Sequence, residues 1–216
     1  MINNFYPKPY GRIRGRIKKN SLIRYKSIIN NYLFKGNVYT KRIIIEIGSG
    51  NGEHAINLSK IYPDKLIIAC DVYIDGNASL INKIKKNNIS NIKIYNKNCF
   101  LLFEKINKLF IDEIWILYPD PWPKKRHYKR RLINKLLINY LYDSLDINGK
   151  IYIATDDQKY FLDIMQKFYF SKLFSWENDR PVFWSQPFHK MAETSFFKKA
   201  QINSQKSYFI IFKKII

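Results

Sequence analysis

The sequence predicts an α/β fold: a mostly parallel, seven-stranded sheet with helices on both faces. Three observations predict it. Runs of β-branched residues alternate with stretches of helical periodicity from residue 42 almost to the C-terminus. The early runs are apolar without a break, which suits strands covered on both faces. The first of them empties into a glycine-rich turn and then a helix, the opening unit of a crossover sheet.

Residues 1–40 read as a basic, Gly- and Pro-punctuated arm with a weak helix from about Leu22 to Leu33. One domain then fills residues 41–216. Arg42–Ile47 (RIIIEI) is the first strand, and Glu53–Ile61 the helix after its turn. Lys65–Asp71 (KLIIACD) is the second strand, followed by a helix over Asp75–Asn87. Ile92–Asn96 and Glu113–Tyr118 are the third and fourth strands. Ile133, Leu136, Leu137, Tyr140, Leu141 and Leu145 then recur at helical spacing. Asn148-Gly149 signals a turn before the fifth strand, Lys150–Thr155. Gln158–Phe170 is a further helix, and Phe174–Glu177 and Ser207–Phe212 supply the last two strands.

A chain of 216 residues suits one domain with a proper core. Apolar residues make up 46 %, which excludes a disordered chain. No apolar run is long enough for a membrane-spanning helix. The basic start, Met1–Arg16, leads into no apolar h-region, so no secretory signal is read and a cytoplasmic location is expected. Cys70 and Cys99 match no zinc or redox spacing and are expected as reduced thiols. His54, His127 and His189 are scattered, so no metal is expected. Monomer and homodimer both stay open.

Lys and Arg number 38 against 17 Asp and Glu, a net charge of +21, which suits a polyanionic partner. The abundance of Ile, Asn, Lys and Tyr is the mark of an AT-rich genome and accounts for part of the lysine excess. It does not account for arginines gathered at Arg12, Arg14 and Arg16 and again at Arg126, Arg130 and Arg131. No acid occurs before Glu46.

The first strand runs into Glu46-Ile47-Gly48-Ser49-Gly50-Asn51-Gly52. A tight strand-to-helix turn would explain the glycines by itself. The second strand adds a reason to expect a ligand. It ends at Asp71, where a carboxylate can accept from both hydroxyls of a ribose. A dinucleotide site favours G-x-G-x-x-G. Here the spacing is Gly48-x-Gly50-x-Gly52 behind the acid Glu46. That resembles the cofactor motif of the class I methyltransferases. Their S-adenosylmethionine carries an ammonium and a sulfonium, so an acid at the strand end is electrostatically sensible.

The fourth strand ends in Tyr118-Pro119-Asp120-Pro121-Trp122-Pro123 and a basic run through Arg131. The prolines stiffen the loop, and ligands of open α/β sheets bind at such carboxyl ends. The basic run fits either a solvated helix start or a phosphate-binding segment. Cations in a first helical turn oppose the dipole, which favours the second. Trp122 suits stacking on a splayed base as well as packing within the loop.

Pro119–His127, with Lys129-Arg130-Arg131 beyond, resembles the signature of the bacterial tRNA (guanine-N7)-methyltransferases. Glu46–Gly52, Ala154-Thr155-Asp156 and Thr194-Ser195-Phe196-Phe197 are similar to further family segments in the same order. The resemblance runs from about Gly11 to Phe212 and is strongest over residues 42–157. It implies a Rossmann-like class I methyltransferase fold and S-adenosyl-L-methionine as donor. It further implies transfer to N7 of a guanine in the variable loop of tRNA. Carried over position by position, it implies cofactor binding by Glu46, Gly48, Asp71, Asn98 and Asp120, with Asp120 also catalytic. It assigns Lys124, Asp156, Thr194, Ser195, Phe196 and Phe197 to substrate binding, and Arg126, His127, Tyr128, Lys129, Arg130 and Arg131 to RNA contact. Asp156 reads equally as the N-cap of the helix from about Gln158. Tyr10–Arg16 is similar to a basic arm of some members and is expected to touch the RNA backbone.

Two positions depart from the family. Asn98 stands where Asp is usual, and its carbonyl can still accept from the adenine amino group. Phe197 stands where the family has Glu. A ring can stack on guanine but cannot accept from it, so specificity is loosened or another acid, such as Glu193, takes over. Two rival readings are a class I methyltransferase with a different substrate and a non-catalytic RNA-binding protein. Against the first, amino methyltransferases carry Asp or Asn, two prolines and an aromatic at this strand end, not Asp-Pro-Trp-Pro.

Overall fold

The structure, a computed structural model, describes residues 25–36, 42–106, 111–202 and 206–215; the side chain of Phe196 also lies outside it. The arm expected over the first 24 residues falls outside the described residues.

The continuous β-branched runs become the centre of the sheet. In chain order the strands are β1 (Ile43–Ile47), β2 (Leu66–Cys70), β3 (Ile92–Tyr95), β4 (Ile111–Leu117), β5 (Leu145–Thr155), β6 (Phe174–Trp176) and β7 (Tyr208–Lys214). Their spatial order is β3-β2-β1-β4-β5-β7-β6. β1 pairs parallel with β2 and β4, and so do β2 with β3 and β4 with β5. β7 runs antiparallel to both neighbours. All seven strands expected from the sequence are present.

The helices are α1 (Glu53–Ile61), α2 (Ile74–Lys86), α3 (Cys99–Lys105), α4 (Lys135–Ser144), α5 (Gln158–Ser171), α6 (Pro181–Trp184) and α7 (Ser195–Ile202). Alternate strand residues feed two cores. Ile44, Ile67, Ala69 and Trp115 pack with Leu58, Leu80 and Ile84 of α1 and α2. Ile45, Ile68, Ile114 and Ile151 pack with Leu102, Leu137, Leu141 and Ile164 of α3, α4 and α5 on the other face.

Four features differ from the sequence reading. Among the described residues near the N-terminus, helical geometry covers residues 25–29, ending before the expected Leu33, and that piece belongs to the domain. Tyr25 and Ile29 are buried in one core, and Leu33 bridges to Ile94 of β3. β5 begins before Asn148-Gly149, because Asn148 takes φ 66 and the strand continues through an irregular register with β4. α3, α6 and α7 are too short for periodicity to reveal them. Finally, the basic run does not open the long helix. Lys125–Arg130 forms its own 3-10 turn, and α4 starts later at an Asn134 cap whose side chain accepts from Leu137 N at 2.9 Å. The conflict with a helix dipole read from the sequence therefore does not arise.

Candidate active site

Strand order reverses at β1, whose neighbours β2 and β4 lead to opposite halves of the sheet. Such a switch point leaves a crevice at the carboxyl ends. A cavity of about 520 Å³ lies there, lined by Glu46, Gly48, Asp71, Asn98, Asp120 and Thr194, among others. The strand ends and the α7 segment thus bring together most of the cofactor and catalytic positions expected from the sequence.

The floor is the glycine turn. Gly50 takes φ 50, a left-handed conformation that costs glycine nothing. Asp71 fixes it: Oδ2 accepts from Gly50 N at 2.7 Å, and Oδ1 from Tyr73 N at 2.9 Å. α2 presses on the same turn, and a Cβ on Gly76 would sit 2.3 Å from the Gly50 carbonyl oxygen. With one bond taken at each oxygen, Asp71 keeps lone pairs for ribose hydroxyls.

Glu46 is 3 % exposed, and its Oε2 has no partner among the described residues. Burial, reinforced by the charge of Asp71, raises its pKa from 4.5 to about 8. A buried, orphaned carboxyl is the complement an ammonium group needs, so these residues fit the methionine end of S-adenosylmethionine. Asn98 caps α3, its Oδ1 accepting from Phe100 N at 3.1 Å. Asp and Asn both supply that oxygen, so the cap tolerates the departure from Asp. Cys70 and Cys99 are free thiols on the cavity wall. Burial pushes both up, Cys99 to about 12, so neither is a thiolate nucleophile at neutral pH.

Asp120 is exposed at the rim. Two non-glycine residues in left-handed conformations bracket it, Tyr118 at φ 53 and Trp122 at φ 45. Such backbone costs about 1–3 kcal/mol per residue and persists only where neighbours enforce it. Tyr118 N donates to Ala154 O at 2.8 Å. The Trp122 ring meets His127 edge-on and lies 4.9 Å from the Arg130 guanidinium. Arg130, expected as an RNA contact, thus also lines the cavity with Trp122.

Arg131 needs correction. The resemblance assigns it to RNA, but it is 2 % exposed. Its Nε donates to Pro121 O at 2.8 Å, and Nη1 meets Asp163 at 3.0 Å. The guanidinium stacks between Tyr128 and Tyr160. Arg131 is an internal pin joining the Asp120 loop to α5, not a phosphate ligand. By contrast Lys124, Lys125, Arg126 and Lys129 are exposed, and His127 and Tyr128 are half-buried. Partial burial and then the cations Arg130, Arg126 and Lys124 depress the His127 pKa.

Phe197 needs correction as well. It is buried against Phe209 in the sheet core and is absent from the cavity lining, so it does not stack on a substrate base. Glu193 does not replace it: its side chain is 72 % exposed and pairs with Lys198. The cap of α5 is Asp157, which accepts from Tyr160 N at 2.7 Å, so the capping alternative for Asp156 is excluded. Asp156 and Lys124 stand outside the cavity lining.

The sequence did not mark Glu53 and His54, which open α1 directly after Gly52 and line the cavity. Burial lowers the His54 pKa to about 3, and Nδ1 accepts from Ala192 N at 3.2 Å. The neutral ring therefore carries its proton on Nε2. Glu53 Oε2 accepts from Ser195 N at 2.8 Å and Ser195 Oγ at 3.0 Å. Lys190, on Glu113 at 3.3 Å, holds the same segment lower down. The one available signal was position: a first helical turn after a glycine turn faces whatever the turn binds.

Among the described residues, no group of three His, Cys, Asp or Glu is placed to hold a metal, and no helix is long and apolar enough to cross a membrane. A family model described as "Putative methyltransferase" matches residues 40–210. A tRNA (guanine-N(7)-)-methyltransferase of Neorickettsia sennetsu is 35 % identical over 160 residues, 74 % of this chain and 73 % of that one. A bifunctional methyltransferase of Rickettsia typhi is 33 % identical over 165 residues, and this chain spans 31 % of its length. A solved antibiotic-related methyltransferase has a TM-score of 0.56 at 17 % identity, covering 93 % of this chain and 96 % of that one.

Burial at this site has two measurable consequences. Arg131→Leu should lower stability by about 3 kcal/mol in urea unfolding, since Pro121 O loses its donor and the guanidinium no longer fills the space between Tyr128 and Tyr160, although Lys167 still serves Asp163. Arg126→Ala should change it by less than about 0.5 kcal/mol; equal losses would return Arg131 to the surface. Glu46 binds a proton more readily folded than unfolded, so the fold loses stability as pH rises from 4.5 towards 8. Glu46→Gln should raise Tm at pH 8–9 and leave it unchanged near pH 4; a gain that is flat with pH would refute the burial argument.

Proposed function

Because this chain belongs to the tRNA (guanine-N7)-methyltransferase family, we propose that it methylates N7 of a guanine in the variable loop of tRNA. S-adenosyl-L-methionine is the donor and supplies, when bound, a methyl group on a sulfonium. The observation that carries the reading is Asp120, fixed at the rim of the glycine-turn cavity beside an exposed cationic turn.

Glu46 receives the ammonium end of the donor, Asp71 its ribose and Asn98 its adenine. Guanine N7 already presents an in-plane lone pair, so no base has to expose it. The protein's task is to hold N7 in line with the methyl group, which is catalysis by positioning. The methylated purine is cationic. A carboxylate at Asp120 stabilises the charge as it develops on the ring.

RNA binding rests on two cationic features. Lys124, Lys125, Arg126 and Lys129 face solvent beside Asp120. Residues 1–24 carry Lys8, Arg12, Arg14, Arg16, Lys18, Lys19 and Arg24 without an acid. That segment joins the domain at Tyr25, whose side chain lies beside Asn77 and Asn96. Asn96 directly follows β3, so the arm joins at the edge where the cavity opens.

Incubation with labelled donor and unmodified tRNA should yield 7-methylguanine in the variable loop, read by borohydride reduction and aniline cleavage. Asp120→Asn should lower kcat by about 100-fold or more with the donor at saturating concentration; normal turnover would remove Asp120 from the chemistry. Deleting residues 1–18 should weaken tRNA binding and flatten its salt dependence, by about one unit of slope for each phosphate the arm neutralises. An unchanged slope would free the arm of any role in RNA binding.

A further inference from the structure

The substrate segment at the start of α7 has no acid of its own facing the cavity. Phe197 is buried in the core, and Glu193 points to solvent. Guanine nevertheless presents an exocyclic amine that needs an acceptor. Four carboxylates line the cavity: Glu46, Glu53, Asp71 and Asp120. Glu46 is buried at the end of β1, where it takes the ammonium end of the donor, and Asp71 is bonded to Gly50 and Tyr73 below the ribose. Asp120 stands at the rim by the reacting face.

Glu53 differs from these. It is half-buried, it opens α1 where the glycine turn ends, and it reaches across to α7. Both bonds from Ser195 fall on Oε2, at 2.8 and 3.0 Å. Oε1 takes no hydrogen bond among the described residues. Ser195 therefore holds the carboxylate in one orientation between donor and substrate segments, with an acceptor left over.

We propose that Glu53 is the specificity-determining carboxylate of the guanine subsite, its Oε1 accepting from the N2 amino group. This rests on the guanine reading above and adds the residue that reads the base. The position left apolar at Phe197 is served from a different helix. A fixed acceptor discriminates because a base without the amine leaves it desolvated and unpaired.

The test compares two tRNAs, one with guanine and one with inosine at the target nucleotide. Inosine keeps N7 and lacks only the N2 amine. With the full chain, kcat/KM for guanine should exceed that for inosine by about 10–100-fold. Glu53→Gln places an amide donor against the amine and should bring the ratio close to one, with S-adenosylhomocysteine affinity within about twofold of wild type. Glu53→Asp should keep the preference at a reduced rate, and it carries the test should the Gln variant fail to fold. A wild type that methylates both tRNAs equally, or a Gln variant that keeps the preference, overturns the assignment. Loss of S-adenosylhomocysteine affinity in the Gln variant would place Glu53 with the cofactor instead and overturn it too. A wild type that forms no 7-methylguanine at all refutes the function itself, a result distinct from these.

Discussion

The site exists because β1 and β4 lie side by side, point the same way and send their chains to opposite faces. α1 covers one core after β1, and α4 covers the other after β4. Neither connection crosses the gap between the two carboxyl ends, so a crevice is left by topology before any side chain is chosen. Everything functional is then a matter of which residues end those strands. Glu46 and the glycines end β1, and Asp71 stands one residue beyond β2. Tyr118-Pro119-Asp120 follows β4. The Asp71 carboxylate on Gly50 N ties neighbouring strand ends together at the floor of the cavity.

That floor is not optimised for stability. Glu46 is buried with an oxygen that has no partner among the described residues, and burial disfavours its charged form. His54, which lines the same cavity, is buried with an Nε2 that has no partner among the described residues. Left-handed Tyr118 and Trp122 add backbone strain on the other side of the cavity. Each feature weakens the fold, and each lies where a cationic ligand or a splayed base would meet the protein. Stability is recovered away from the site, in two cores whose strands are almost fully buried.

The strands were legible because buried parallel strands read as unbroken apolar runs, and the cavity-lining positions Glu46, Gly48 and Asp71 because a glycine turn and strand-end acids have fixed places in such a fold. Other parts were not legible, for identifiable reasons. β5 runs through Asn148-Gly149 because asparagine tolerates the left-handed region, so a turn signal became a kink within a strand. α3 has seven residues, too few to show a period. Phe197 reads as a changed binding residue in sequence, whereas its ring completes the core beneath Phe209. Glu53 looks like any acid in a first helical turn, and only the fold brings it to Ser195, 142 positions away.

The basic run shows most clearly what charge alone does not tell. Arg130 and Arg131 are adjacent and chemically identical, yet the 3-10 turn sends them in opposite directions. Arg130 lies on Trp122 at the cavity wall, and Arg131 lies between two tyrosines beneath the loop. The buried arginine has a task a lysine would do poorly. Its planar guanidinium donates to Pro121 O, pairs with Asp163 and stacks on both rings at once. Pro121 sits between Asp120 and the strained Trp122, so this one internal cation holds the loop whose neighbouring cations face the solvent. The loop can therefore keep an exposed carboxylate in place between two left-handed residues while Lys124, Lys125, Arg126 and Lys129 stay exposed. Rigidity beneath and charge above are supplied by one short segment, and that is why its composition is so unusual.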